Sequence, residues 1–80
     1  MADRKDEITF EIHERIAVLS TAGNGWTKEA NIVSWNGGPA KLDIRDWNPD
    51  HQKMSRGITL TEDAATKLAF ALAARYNIGR

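Results

Sequence analysis

The stretch from Ser34 to Pro49 reads SWNGGPAKLDIRDWNP and sets Trp35 and Trp47 on either side of a turn. From Ala40 onward, apolar and charged residues alternate, the period-2 signature of a strand with two unlike faces. Leu42 and Ile44 share one face, while Lys41, Asp43, Arg45 and Trp47 share the other. A core explains the tryptophans but not the interleaved cations. A binding surface explains both. The spacing therefore predicts that Leu42 and Ile44 point inward and that the Trp47 ring stands outward among the cations.

The rest of the chain arranges itself around this strand. Asn36-Gly37-Gly38-Pro39 is turn chemistry, and WTKEANIVSWN before it makes a preceding strand. Trp26 and Lys28 share one face of that strand, with Val33 and Trp35 on the other. Two arrangements are open for Trp35. With Ala30 and Ile32 inward, it faces the cations of the next strand; with Val33 inward, it joins the core. The AGNG segment at 22–25 marks an earlier turn. Before it, EITFEIHERIAVLST alternates through Ile8, Phe10 and Ile12 and then shifts phase near Glu14. That is one long strand with a bend or bulge, or two strands in a tight hairpin.

Downstream, NPDHQKMSRG is a polar connection and GITL a short fourth strand. Thr61 is placed to cap a helix, with Glu62 and Asp63 where the helix dipole favours acids. Ala65, Leu68, Ala69, Leu72 and Tyr76 then form one apolar stripe, and Asn77 to Gly79 ends the helix. The expected class is α+β: a four-stranded antiparallel meander followed by one C-terminal helix, in one domain over 1–80 with residues 1–6 flexible.

Eighty residues lie near the size at which a single core is barely sufficient. With no cysteine, disulfides and thiolate metal sites are excluded. His13 and His51 lack ligand spacing, so neither a metal nor a cofactor is expected. Self-association is the expected supplement. Phe70 stands off the helical stripe beside Ala73 and Ala74, which makes it the candidate contact of a homodimer.

Net charge is zero. Residues 1–14 are acidic and the middle of the chain mildly basic, compatible with a local anion-binding face. No apolar run approaches the ~18 residues of a membrane span, and the amino end lacks signal-peptide features. A soluble cytoplasmic protein, free or associated with the nucleoid, is expected. Catalysis lacks parts: there is no cysteine nucleophile and no serine in a nucleophile-elbow context. The glycine pairs stand in turns rather than between a strand and a helix. The expectation is a binding protein, not an enzyme.

Aromatic rings interleaved with Lys and Arg on an open sheet suit single-stranded nucleic acid. Its unpaired bases stack on rings at roughly 1–3 kcal/mol each, and cations follow the phosphates between them. The candidate contacts are Trp26, Lys28, Trp35, Lys41, Arg45, Trp47, Lys53 and Arg56. A protein–protein adaptor using the same tryptophan surface, or an RNA binder, are the alternative readings.

The segment AKLDIRDWNPDHQKMSRGITLTEDAATKL (40–68) resembles the core signature of the transcriptional positive cofactor 4 family, including its short bacterial YdbC-like members. The shared features are a D-I-R strand followed by an acid and an aromatic, a polar loop with a proline, and a basic-Gly-Ile-Thr-Leu strand entering a helix. FEIHERIAVLS and GWTKEANIVSWNGG extend the resemblance over roughly residues 7–76. It implies a β-β-β-β-α protomer that dimerises and binds single-stranded DNA along curved sheets, in transcription, replication or repair. It further implies that Arg45 matches the signature arginine, Trp47 the aromatic platform, and Lys53 and Arg56 the basic loop residues. The loop from Trp47 to Gly57 is shorter than in the eukaryotic members, and their acidic, serine-rich arm has no counterpart in these 80 residues.

Overall fold

The computed structural model describes residues 8–78, so the flexible end expected over 1–6 lies outside the described residues. Among these residues, four strands, β1 (Phe10–Thr21), β2 (Thr27–Trp35), β3 (Ala40–Trp47) and β4 (Ile58–Leu60), precede one helix, α1 (Glu62–Tyr76). The strands form a single antiparallel sheet in the order β1-β2-β3-β4. The meander and the C-terminal helix match the expected architecture.

The turns follow from local chemistry. Between β2 and β3, Asn36 and Gly37 both have positive φ (52° and 75°), and the Gly38 amide donates to the Trp35 carbonyl at 2.8 Å. This is the mirror-image turn that Asn-Gly favours, because its twist matches that of the paired strands. Thr61 caps α1 by accepting the Ala64 amide, and Asn77, in the left-handed region at φ 58°, ends the helix.

β1 resolves the phase shift near Glu14. It is one strand, but its 12 residues run against 9 of β2. The surplus enters as three register shifts, between Ile12 and Glu14, Arg15 and Ala17, and Val18 and Ser20. Each bulge bends its strand and adds twist, and three in succession curl the sheet. The curl is visible across its face. Phe10 pairs with Trp35 at one end of β2, and Trp47 pairs with Thr27 at the other. On a flat strand those positions would lie roughly 26 Å apart. Yet the Phe10 and Trp47 rings are only 5.1 Å apart, and Phe10 also lies 5.7 Å from Trp35.

The strand faces are covered in a way that corrects the reading of β3. Trp47 and Asp43 are wholly buried, whereas Leu42 and Ile44 are only half-buried. The connection after β3 folds back over the Trp47 face. An isolated bridge joins Trp47 to Met54, and the His51 ring stacks on the indole at 5.3 Å. Asn48 fastens this loop by accepting the amides of Gln52 and Lys53. Trp47 is therefore core rather than an outward ring, because a loop covers a face whose polarity suggested solvent.

The opposite face is the incompletely covered one. The helix rests chiefly on β3 and β4, and none of its residues is buried. Between it and the sheet runs an apolar trough of about 690 Å³, lined by residues that include Ile16, Leu19, Ile32, Leu42, Leu68 and Leu72. Phe70 projects off the stripe and is 73% exposed. Among the described residues, no helix is long and apolar enough to cross a membrane.

Candidate nucleic-acid interface

The curled face carries polar and charged side chains that burial would penalise if they stood alone. They are satisfied by one another. Glu29 on β2 is buried and accepts from Thr27 Oγ1 at 2.6 Å and Asn31 Nδ2 at 3.1 Å. Its Oε2 lies 2.9 Å from His51 Nε2, and Arg15 Nη1 approaches Oε1 at 3.7 Å. Burial pushes the Glu29 carboxyl up, but the hydrogen bonds from Thr27, Asn31 and His51, with the electrostatic influence of the His51 ring, outweigh it. The net result is a pKa below the ordinary 4.5. Glu29 stands as a buried carboxylate that fastens the loop to the sheet.

On β3 the same logic holds for Asp43 and Arg45. The Arg45 guanidinium donates to both Asp43 oxygens, Nε at 2.8 and 3.0 Å and Nη2 at 2.7 Å, and Nη1 reaches the Ser55 carbonyl at 3.3 Å. The guanidinium donates through its edge, and its flat face lies over the Trp35 ring, 4.5 Å from the centroid. Trp35 thus shares its face with the buried Val33, as one arrangement predicted, and meets a β3 cation, as the other did. The ring is half-buried. Both indole N–H groups of this cluster, at Trp35 and Trp47, are buried without an acceptor among the described residues.

Beside Trp35 the face opens into a groove of about 720 Å³. Trp35, Lys41, Arg45, Met54, Ser55 and Arg56 line it, with Ile8 and the 36–39 turn at one end. The Asn36-Gly37 turn lets β3 follow β2 directly and places Lys41 near the end of the strand that carries Trp35. Gly57 sets the other wall: a Cβ there would come within 2.4 Å of both Arg45 Cβ and the Ile44 carbonyl. Only glycine lets the chain pass this close to β3, and that path carries Ser55 and Arg56 to the groove. Lys41 and Arg56 are exposed and have no ion-pair partner among the described residues.

The expected contact residues separate into groups. Trp35, Lys41, Arg45 and Arg56 come together in the groove. Trp47 lies beneath the surface and supports Phe10 and, through it, Trp35. Trp26 is half-buried in the connection just before β2, outside the groove lining. Lys28 has the opposite parity to Trp35, on the other face of the sheet, and pairs with Asp46 at 3.0 Å. Lys53 is exposed on the loop over Trp47, also outside the groove. Phe10, Met54 and Ser55 did not stand out in the sequence. Only the alternation of Ile8, Phe10 and Ile12 hinted at Phe10, whereas Met54 and Ser55 sit in a loop without periodicity. No group of three or more potential metal ligands is gathered among the described residues.

Comparison with known proteins fits this arrangement. Residues 22–70 match the family model described as Transcriptional Coactivator p15 (PC4). That span holds all of β2, β3 and β4 and the first part of α1. An uncharacterized protein of Treponema pallidum (strain Nichols) is 50% identical over 56 residues, covering 70% of this chain and 66% of the relative.

Proposed function

The chain belongs to the transcriptional coactivator p15 (PC4) family, and from that premise we propose that it binds single-stranded DNA, with little sequence preference, in the groove beside Trp35. The observation that carries this reading is the juxtaposition of the half-exposed Trp35 ring with Lys41 and Arg56 in one open channel. An unpaired base offers its face to the ring, and the two cations take the flanking phosphates. A duplex hides its base faces, so it gains only the phosphate contacts. Ring stacking and phosphate contacts do not depend on which base is bound, which gives weak sequence preference. The role is coactivator-like, serving transcription, replication or repair as a binding protein rather than an enzyme.

The same protein acts as a homodimer in this reading. The radius of gyration is 14.6 Å, against about 12 Å for a compact chain of this length. The apolar trough and Phe70 are the surface a second copy covers, and a stable interface needs roughly 800 Å² from each partner. Fluorescence anisotropy with one labelled oligonucleotide, offered as single strand, duplex and RNA, tests the function. Preference for the DNA single strand over the duplex is expected. Equal affinity for the duplex would overturn the reading, and preference for the RNA strand would reassign the substrate. Affinity for none of the three would favour the adaptor reading.

A further inference from the structure

Charge alone would make Arg45 a phosphate ligand, but its surroundings leave it little freedom to be one. All three guanidinium nitrogens have acceptors, the Asp43 carboxylate and the Ser55 carbonyl. The Arg45 side chain is 14% exposed, and Asp43 is wholly enclosed. Turning the guanidinium toward a phosphate would strand a buried carboxylate without its counter-ion, which is costly. Gly57 closes the remaining side, with its Cα hydrogens against the Arg45 stem. The planar face left over is the one that lies 4.5 Å from the Trp35 ring centroid.

We propose that Arg45 is a positioning residue: it fixes the plane of the Trp35 ring for a stacked base and neutralises Asp43, while Lys41 and Arg56 are the groove's phosphate ligands. This rests on the single-strand reading above. Lysine cannot replace arginine here, because it has neither the planar fork that meets both carboxylate oxygens nor a flat face to lie on an indole.

The test measures oligo-dT affinity across a salt series for the wild type and four variants. Removing one cation that neutralises a phosphate flattens the slope of log affinity against log salt by about 0.7 for single strands. Lys41→Gln and Arg56→Gln should each flatten it by about that amount. Arg45→Lys, which keeps the charge, should bind roughly tenfold or more weakly, within the range of a disturbed stacking platform, with the slope unchanged. The double variant Asp43→Asn/Arg45→Gln removes both charges of the buried pair, so it covers the case in which the single change unfolds the protein; its slope should also match the wild type. Full affinity in Arg45→Lys, or a slope flattened by about 0.7 in the double variant, would overturn the positioning role. A second readout needs no DNA. Arg45→Lys should weaken the near-ultraviolet circular dichroism of the indoles, and the change should vanish in a Trp35→Phe background. A wild type indifferent to oligo-dT would defeat the single-strand reading, and the dichroism would then decide the positioning role by itself.

Discussion

His51 bridges the loop and the sheet: its ring stacks on Trp47 at 5.3 Å, and its Nε2 lies 2.9 Å from the Glu29 carboxylate. The backbone at His51 is in the left-handed region, φ 59°, a conformation uncommon outside glycine. The stacking and the charged hydrogen bond hold it there. One contact covers the core tryptophan, and the other satisfies a buried acid.

Acid should loosen this fastening. The Glu29 pKa is lowered in the folded state, so its contribution to stability is fully present above the ordinary value of 4.5. That contribution is lost as pH falls through the depressed folded value. Urea midpoints between pH 7 and pH 3 should drop in the wild type below about pH 4.5. Glu29→Gln should be less stable at pH 7 and show a shallower acid loss. Parallel pH profiles for the two proteins would remove Glu29 from the stability of the loop.

Trp47→Ala should cost about 3–5 kcal/mol, the range for deleting a large buried aromatic. The ring is wholly buried between Phe10 and His51, so the loss should appear in denaturant melts. A variant as stable as the wild type would mean that the indole is not core.

Phe70→Asp should shift a homodimer toward monomer. Phe70 is 73% exposed on α1, beyond the stripe that lines the trough, and a charge there cannot be buried in an interface without a partner. Light scattering at micromolar concentration should give dimer mass for the wild type and a lower mass for the variant. Two identical masses would place the contact elsewhere, and a monomeric wild type would remove the dimer.

The fold was legible in the sequence because its signals are local. The Asn36-Gly37 turn, the Thr61 cap and the alternation in β3 each announce themselves within a few residues. The faces were harder to assign. Periodicity separates Leu42 and Ile44 from Asp43 and Trp47, but it does not say which set is covered. Charge favoured solvent for Asp43 and Arg45. In the fold these two neutralise each other, and the loop carrying His51 and Met54 closes over their face. The β1 bulges that curl the sheet have no sequence mark beyond the phase shift near Glu14. Without that curl, Trp35 and Trp47 could not both meet Phe10.

The groove beside Trp35 is most directly tested by Trp35→Ala, with oligo-dT binding followed by anisotropy at fixed salt. Removal of a stacking ring should weaken binding by about 1–3 kcal/mol, roughly 5- to 150-fold, in a protein whose circular dichroism shows it folded. Trp35→Phe keeps an aromatic face and should recover much of the affinity. A folded Trp35→Ala protein that binds oligo-dT as tightly as the wild type would contradict the placement of the single strand on this ring.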